Sequence, residues 1–343
     1  MSTKPKFNAT NDPKVSIIGT TTWGTTLGII LARKGIQVSI LCRTDQEAQE
    51  LSRRREHSRF LPGVTIPDSI CFSHDPDFLK DYSSLVILAV PSDRFRNNVQ
   101  HIKNNLGTGS LILSVTKGLE LPDGKRMSQI LQEELPLELH PGICSLSGPN
   151  LAKEIVNDKP ASTVVAGLNE TSATLIQDIL ISPTFRVYTS TDLVGLELCG
   201  TLKNILAIGV GISDGLNLGD NGKSTLITRG LSEICRLGVA AGAEATTFYG
   251  LAGLGDIIAT CSSQLSRNRY VGELLAQGHS LTEIQASMQN VAEGVNTTRA
   301  ALDMARPLGI EMPITQAIYN VLFEQLSPID AIRELMSRPA RAE

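Results

Sequence analysis

The sequence predicts an α/β fold, with an N-terminal, Rossmann-like and mostly parallel sheet domain followed by an all-α C-terminal domain. Short apolar runs alternate with helical segments in the first half, which is typical of a parallel sheet with helices on both faces. A glycine-containing turn follows the first of these runs. After Ser190 the strand signals end and helical spacing continues. The predicted segments are a flexible extension at 1–13, a dinucleotide-binding domain at 14–188 and a helical substrate domain at 189–343.

Composition narrows the class of protein. The chain has 343 residues, 41% hydrophobic and 19% charged, as in an ordinary globular protein. A net charge of -4 without a basic stripe argues against a nucleic-acid partner. The six cysteines form no C-x-x-C pair, so we expect neither a metal site nor a disulfide scaffold. The N-terminus has no apolar signal region, and a reducing, cytoplasmic location fits best.

The first thirty residues of the fold read as a βαβ unit. Strands are expected at Val15–Ile18 and Val38–Cys42, with a helix at Trp23–Lys34 between them. The turn that opens the helix keeps two of the three glycines of a dinucleotide fingerprint, Gly19 and Gly24. Thr21 takes the middle position, where the backbone normally approaches a pyrophosphate. The alternative is a tight turn without a ligand, but its place between strand and helix favours cofactor binding.

The end of the second strand suggests which cofactor is preferred. An NAD site usually offers a carboxylate to the ribose there, whereas this chain has Arg43 followed by Thr44. A guanidinium suits the 2′-phosphate of NADP, so NADP is the preferred cofactor and NAD the alternative. A surface arginine is the competing interpretation. Asp45 is expected to cap the helix that follows.

Later strands are predicted from further apolar runs. They are Leu85–Val90, Leu111–Val115, Ile143–Leu146, Thr163–Ala166 and Phe185–Tyr188. Ligands gather at the carboxyl ends of parallel strands. Lys117 and Gly148 follow two such ends, and Lys117 is therefore a candidate site residue; a surface lysine is the alternative.

A single lysine interrupts the apolar helix that opens the second domain. Lys203 is flanked by Leu202, Ile205 and Leu206, and burial disfavours the charged form of an amine. Such a lysine can serve as a catalytic base. Alternatively, its stem packs and its head reaches water. The run is long enough to span a membrane, but a central lysine makes insertion costly, so a buried helix is expected.

Two stretches of the second domain add polar candidates. A glycine-rich turn at 253–256 ends in the carboxylate of Asp256. Ser266 is a candidate N-cap that precedes Arg267 and Asn268, a composition suited to holding a phosphate at the start of a helix. An ordinary capped helix with surface arginines is the alternative. Breaks between helices are expected at 213–221, 250–256, 277–280 and 306–313.

Many ordered motifs together resemble one family. They include Trp23-Gly24-Thr25, Thr116-Lys117-Gly118, Leu202-Lys203-Asn204, Gly253-Leu254-Gly255-Asp256 and Ser266-Arg267-Asn268. From about residue 14 to 337 the chain resembles NAD(P)-dependent glycerol-3-phosphate dehydrogenase of the bacterial type. The resemblance implies hydride transfer between NAD(P)H and the substrate pair dihydroxyacetone phosphate and sn-glycerol 3-phosphate, for phospholipid synthesis.

The resemblance also implies roles for individual residues. Lys203 would be the proton donor and acceptor, with Lys117 and Asp256 as its catalytic partners. Substrate contacts are implied for Lys117, Gly148, Asn150, Lys203, Asp256, Ser266, Arg267 and Asn268. Cofactor contacts are implied for Gly19, Thr22, Trp23, Gly24, Arg43, Lys117, Ala152, Arg267, Val291 and Glu293. The chain departs from the family pattern at Thr21, Asn150 and Leu151.

Two other functions stay open at this point. A different lysine-dependent reductase of two domains would share the fold and the cofactor but not the serine-arginine-asparagine phosphate site. A dinucleotide-binding sensor without catalysis would not need Lys203, Lys117 and Asp256. The expected partner is the small-molecule substrate, without nucleic acid or membrane insertion, and a homodimer is left open.

Overall fold

The computed structural model describes residues 13–81, 84–288 and 292–340. Nearly all of the predicted extension at 1–13 lies outside the described residues. The strands are β1 (Lys14–Ile18), β2 (Gln37–Leu41), β3 (Glu56–His57), β4 (Leu61–Thr65), β5 (Ile70–Ser73), β6 (Leu85–Leu88), β7 (Leu111–Ser114), β8 (Leu119–Glu120), β9 (Lys125–Arg126), β10 (Ile143–Ser147), β11 (Ala161–Gly167) and β12 (Phe185–Ser190).

The helices carry the remainder of the fold. They are α1 (Thr22–Arg33), α2 (Asp45–Arg54), α3 (Phe95–Ile102), α4 (Met127–Glu134), α5 (Ala152–Val156), α6 (Glu170–Leu180), α7 (Leu193–Gly215), α8 (Gly219–Ala240), α9 (Ala245–Tyr249), α10 (Asp256–Ser262), α11 (Arg267–Ala276), α12 (Leu281–Ser287), α13 (Glu293–Ala305), α14 (Pro313–Phe323) and α15 (Pro328–Met336).

One sheet organises the first domain. Within the described residues it has eight strands in the order β12-β11-β10-β7-β6-β1-β2-β5. The pairing of β10 with β11 is antiparallel and every other pairing is parallel. The predicted fold class is therefore confirmed. All seven strands predicted from apolar runs are present, whereas β5 was missed because three of its four residues keep partial or full exposure.

The sheet brings the polar strand ends to one edge. β1, β6, β7 and β10 run in the same direction, so the turns after them share the carboxyl edge. The hydroxyl of Thr116, after β7, donates to the carbonyl oxygen of Val90, after β6, over 2.7 Å. Loops that lie far apart in sequence are thus joined at the edge where ligands of such sheets bind.

Helix α7 is the centre of the second domain. Its residues from Leu196 to Ser213 are buried without interruption, because other helices and the sheet cover every face. Of the described helices, α7 alone is long and apolar enough to cross a membrane, and 94% of its most apolar window is buried inside the protein. The expectation of a buried core helix is confirmed.

The glycines of α7 allow close contact with its neighbours. A Cβ at Gly211 would collide with the carbonyl of Arg269 on α11, and one at Gly200 would collide with the side chain of Ser147 at the end of β10. On α11, a Cβ at Gly272 would collide with the carbonyl oxygen of Ile208 on α7. The helix backbones of α7 and α11 therefore touch directly, which explains why glycine is retained despite its cost of about 1 kcal/mol in a helix.

A buried carboxylate fastens α7 to the sheet domain. Glu197 accepts hydrogen bonds from Arg126 at 2.7 Å, from the backbone and hydroxyl of Ser128 at 2.8 and 2.5 Å, and from the hydroxyl of Ser145 at 3.0 Å. The charge is thus paired and its oxygens are satisfied, as burial requires. The contact fixes α7 relative to the carboxyl edge of the sheet.

One helix cap and one turn differ from the prediction. Asp45 does not cap α2: it is the first helical residue, and the cap is Thr44, whose hydroxyl accepts from the backbone of Glu47 at 3.2 Å. Thr44 has the extended backbone of an N-cap, which explains the difference. The predicted glycine-rich turn at 253–256 is instead a π-helical segment, Leu251–Gly255, that leads directly into α10. Ser266 caps α11 as predicted.

Elsewhere in the second domain the predicted helix breaks are found, but further breaks at 241–244, 263–266 and 324–327 were not predicted. The breaks at 277–280 and 306–313 are found between α11 and α12 and between α13 and α14. The break at 213–221 is shorter than predicted, because α7 continues to Gly215 and α8 begins at Gly219. This short connection mixes apolar and polar residues, so the sequence alone did not show where α7 ends and α8 begins.

Candidate active site

Two lysines from different domains converge on one buried carboxylate. Lys203 Nζ, on α7, donates to Oδ1 of Asp256 over 2.6 Å. Lys117 Nζ, after β7, donates to Oδ2 of the same carboxylate over 2.6 Å. Asp256 is 2% exposed, and Lys203 is 6% exposed. The residues predicted to form the catalytic group are therefore in direct contact, at the place where the helical domain meets the carboxyl edge of the sheet.

The environment of Lys203 brings its protonation close to neutral pH. Burial lowers the pKa of this amine to about 8, and the positive charge of Lys117 acts in the same direction. The charge of Asp256 opposes both effects and keeps the pKa from falling further. An amine with such a pKa can both release and accept a proton under ordinary cellular conditions.

Thr260 completes the surroundings of Lys203 and was missed from sequence. Its hydroxyl contacts Lys203 Nζ and also donates to Oδ1 of Asp256 over 3.2 Å. An ammonium group has three N–H donors. With one directed to Asp256 and one to Thr260, a third is left for a substrate oxygen. Thr260 lies four residues after Asp256, on the same face of α10, and that spacing was the signal that could have identified it.

Lys117 is held by the turn that follows β10. Its Nζ donates to the carbonyl oxygen of Gly148 over 3.1 Å, in addition to Asp256. A Cβ at Gly148 would lie 2.9 Å from Cα of Thr163, so a larger residue would push this turn off β11. The amide of Asn150 is tied to the same strand, since it accepts from the hydroxyl of Thr163 over 2.9 Å and donates to the carbonyl of Ser162.

The first turn of α11 lies beside Lys203. Asn204, the next residue on α7, accepts a hydrogen bond from the side chain of Asn268 over 2.9 Å. The other end of the Asn268 amide accepts from the backbone of Gly294 over 3.0 Å, so α7, α11 and α13 meet at this side chain. Asn268 thus has a structural role as well as its predicted place at the substrate.

Arg267 is the first residue of α11. The residue as a whole is exposed. Burial of its guanidinium by the surrounding protein nevertheless lowers the pKa of this group, and the negative charge of Glu293 acts in the opposite direction. Glu293 accepts from the hydroxyl of Ser92 over 2.6 Å and from its backbone over 3.3 Å. Burial raises the pKa of Glu293. The pair of Ser92 and Glu293 therefore bridges the loop after β6 and the start of α13.

The turn after β1 has the geometry of a phosphate-binding turn. Gly19 has φ +102°, a conformation that favours glycine, and a Cβ at Gly24 would lie 2.7 Å from the Gly19 carbonyl oxygen. The hydroxyl of Thr21 accepts from the backbone of Gly24 over 3.2 Å and donates to the carbonyl of Ala89 over 2.8 Å. Thr21 is thus the N-cap of α1, and its proton is directed to β6 rather than to the space above the turn.

The neighbouring threonines are also engaged. Thr22 donates to the carbonyl of Phe60 over 3.3 Å. Thr20 donates to the carboxylate of Glu47 over 2.7 Å. The hydroxyls of the three successive threonines, Thr20 to Thr22, therefore all donate hydrogen bonds within the protein. Trp23 lies between them and the core, with its indole Nε1 buried and without a hydrogen-bond partner in the described part of the chain.

Comparisons with known proteins match this arrangement of a sheet domain, a buried lysine helix and a capped phosphate-type turn. The family model described as NAD-dependent glycerol-3-phosphate dehydrogenase N-terminus matches residues 14–173, and the corresponding C-terminus model matches residues 192–333. The chain belongs to the NAD-dependent glycerol-3-phosphate dehydrogenase family.

Individual members of this family are similar over nearly the whole chain. A glycerol-3-phosphate dehydrogenase [NAD(P)+] of Dehalococcoides mccartyi is 49% identical, covering 96% of this chain and 92% of the relative. One of Chlorobium limicola is 43% identical, covering 96% and 99%. The crystal structure of glycerol-3-phosphate dehydrogenase from Coxiella burnetii is 34% identical with a TM-score of 0.89, covering 95% and 99%.

Several residues that the resemblance to glycerol-3-phosphate dehydrogenase selected are in contact with one another. Lys117, Gly148, Lys203 and Asp256 are linked by direct hydrogen bonds, and the start of α11 is one residue removed from Lys203 through Asn204. Ala152 begins α5 after the Gly148 turn. Val291 lies outside the described residues. Arg43 follows β2, with an exposed side chain.

Proposed function

We propose that the chain catalyses the reversible interconversion of dihydroxyacetone phosphate and sn-glycerol 3-phosphate with NADH or NADPH. The observation that carries this proposal is the contact of Lys203 and Lys117 with Asp256, next to a phosphate-binding turn and in a member of this family. Relatives that are 40 to 49% identical carry the name glycerol-3-phosphate dehydrogenase [NAD(P)+].

The residues of the first βαβ unit fit a dinucleotide. The left-handed φ of Gly19 and the lack of a Cβ at Gly24 keep the turn narrow, so that a pyrophosphate can reach the N-terminus of α1. The buried N–H of Trp23 provides a further donor next to this turn. Gly19, Thr22, Trp23, Gly24 and Arg43 are the residues of this unit that would hold the cofactor. By the family resemblance, Ala152, Val291 and Glu293 would contribute as well, Val291 lying outside the described residues.

A bound nicotinamide cofactor would supply a hydride to the carbonyl carbon of the substrate. As that happens, the carbonyl oxygen gains negative charge. The remaining N–H of protonated Lys203 would donate a hydrogen bond to that oxygen and stabilise its negative charge. Lys203 would then transfer this proton to the oxygen and become a neutral amine. In the reverse reaction the neutral amine of Lys203 takes the proton from the hydroxyl. Asp256 holds the amine in place through both protonation states.

Lys117 assists without taking part in proton transfer. Its positive charge neutralises Asp256 from the other side, which limits the attraction that would otherwise keep Lys203 permanently protonated. Two of its donors are directed to Asp256 and Gly148, and the third can bind a substrate oxygen. Lys117 thus positions the substrate and tunes the base.

The substrate phosphate is assigned to the start of α11. Arg267 supplies charge-assisted donors there, and the helix N-terminus capped by Ser266 favours an anion. The Asn268 hydrogen bond to Asn204 links this anion site rigidly to Lys203. A phosphate held there would fix the carbonyl carbon relative to the nicotinamide and reduce the orientational cost of reaction.

The remaining assignments accompany this function. The two domains are proposed at 14–188 and 189–343, although β12 continues to Ser190. A cytoplasmic location and a role in phospholipid synthesis fit an enzyme that makes sn-glycerol 3-phosphate. Asn150 is proposed at the substrate mouth, next to the Gly148 turn.

The direct test is to mix purified protein with dihydroxyacetone phosphate and either reduced cofactor, and to follow the absorbance of the reduced nicotinamide. Loss of absorbance that depends on the substrate supports the proposal. The same assay with ketopantoate and other phosphorylated or carboxylated carbonyl compounds tests the alternative reductases. Turnover with one of those compounds but none with dihydroxyacetone phosphate would refute the assignment.

A further inference from the structure

A carboxylate from the second helix reaches the end of β2. Glu47 lies in the first turn of α2, yet its side chain leaves that helix. Its Oε1 accepts from the hydroxyl of Thr20, in the turn after β1, over 2.7 Å. Its Oε2 accepts from the backbone N–H of Arg43, after β2, over 2.9 Å. Glu47 therefore joins the phosphate-type turn to the end of the neighbouring strand.

This is the position at which dinucleotide folds distinguish their cofactors. A carboxylate beside the end of the second strand accepts from the adenosine ribose hydroxyls of NAD, while an arginine there accommodates the 2′-phosphate of NADP. The sequence places Arg43 at this point. The structure adds a carboxylate that comes from four residues further along the chain, so both kinds of group are present.

We propose that Glu47 is a cofactor-specificity residue that favours the ribose hydroxyl of NADH and opposes the 2′-phosphate of NADPH. The inference rests on the proposed function, and it sets Glu47 against Arg43. A 2′-phosphate would need the donors at this place, namely the backbone N–H of Arg43 and the N-terminus of α2. The Glu47 carboxylate already accepts the hydrogen bond of the Arg43 backbone N–H. It also places a negative charge, which would repel a phosphate, beside the N-terminus of α2.

A capping role alone does not account for this geometry. Thr44 and Glu47 have the spacing of a capping box, in which the acidic side chain returns to the N-cap backbone. Here the carboxylate reaches Arg43, one residue before the cap, and the hydroxyl of Thr20 across from β1. A helix cap would stabilise α2 equally with either cofactor bound. A negative charge beside the ribose would instead change the affinity for NADPH relative to that for NADH.

The test compares Glu47→Gln with Glu50→Gln. Glutamine at 47 keeps an acceptor oxygen for Arg43 but removes the charge. Glu50 lies on the same helix, is exposed and pairs with Arg54, so its substitution makes the same charge change away from the turn. NADPH and NADH are titrated separately into each full-length protein, and binding is followed by the fluorescence of Trp23, the single tryptophan of the chain.

Glu47→Gln is expected to raise the affinity for NADPH relative to NADH by about tenfold, the scale of one charge pair near a protein surface. That gain should shrink as salt is added, because the effect is one of charge. Glu50→Gln should leave the ratio unchanged. Equal loss of both affinities in Glu47→Gln, or an unchanged ratio, would overturn the inference while leaving the proposed function intact. Wild-type protein that binds neither cofactor would overturn the proposed function and the inference with it.

Discussion

Asp256 Oδ1 lies 2.6 Å from Nζ of Lys203, while its other oxygen is equally close to Lys117. One buried carboxylate thus balances the charges of two ammonium groups. If it served one lysine only, Lys203 would be held in its protonated form more strongly. Sharing the carboxylate leaves Lys203 with a pKa of about 8 and able to work in both directions.

Replacing Lys203 with alanine should lower turnover by about 10²-fold or more, the scale of general acid-base catalysis. Cofactor affinity should change little, because Lys203 belongs to the helical domain. Steady-state rates in both directions check this. Lys80→Ala, an exposed lysine paired with Asp77, is the matched control and should retain activity. Near wild-type turnover of the Lys203 variant would remove this residue from the mechanism.

The pH dependence follows from the pKa of Lys203. Reduction needs the protonated amine, so its rate should be high below pH 8 and fall as pH rises through about 8. Oxidation needs the neutral amine and should rise through the same range. Asp256→Asn removes the charge that raises this pKa, so the reduction profile should move to lower pH. Rate profiles in both directions measure it, and a shift to higher pH would contradict the assigned role.

Arg267→Ala should mainly raise the Michaelis constant for dihydroxyacetone phosphate. A hydrogen bond to a charged group contributes about 1.5 to 3 kcal/mol, which corresponds to roughly tenfold or more in affinity. Initial rates over a range of substrate concentrations measure the change. Arg306→Ala, at an exposed position after α13, is the control. An unchanged Michaelis constant in Arg267→Ala would show that the phosphate is bound elsewhere.

Arg43→Asp should shift preference toward NADH, because it removes a cation that a 2′-phosphate can contact and adds repulsion. The ratio of efficiencies with NADPH and NADH is the measurement. Arg53→Asp introduces the same charge change further along α2, at an exposed position, and should leave that ratio in place. If both variants behave alike, the effect is one of overall charge and Arg43 does not read the phosphate.

The threonine in the middle of the glycine turn gives a prediction with two parts. Thr21→Val keeps the bulk but loses the N-cap of α1 and the hydrogen bond to Ala89, so it should cost about 1 kcal/mol of stability and weaken cofactor binding. Thr21→Gly should be milder, since glycine at an N-cap costs only a few tenths of a kcal/mol. Thermal unfolding and NADPH titration of both variants test this. A marked gain in NADPH affinity for the glycine variant would show that the bulk of Thr21 obstructs the cofactor.

Two kinds of feature could be predicted from the sequence: patterns that recur along the chain, and residues that differ sharply from those around them. The positions of seven strands of the main sheet followed from apolar runs, and Lys203 was visible because one charge interrupts an apolar helix. The order of the strands was not predicted. Thr260 and Glu47 were not predicted, because the side chain of each contacts a residue that is distant in the sequence. The cap of α2 was misplaced by one residue, since Thr44 and Asp45 are both good caps and only the backbone conformation decides between them.

The direct contact of α7 and α11 through Gly211 and Gly272 has a consequence for substrate choice. No side chains lie between these backbones at that point, so their separation cannot be altered by repacking. On the proposed assignment of the substrate carbonyl to Lys203 on α7 and of its phosphate to Arg267 on α11, the two helices would hold these two binding positions at a fixed distance. A homologous substrate with one more carbon between those groups would be too long for one end or the other, whatever its affinity for each end alone.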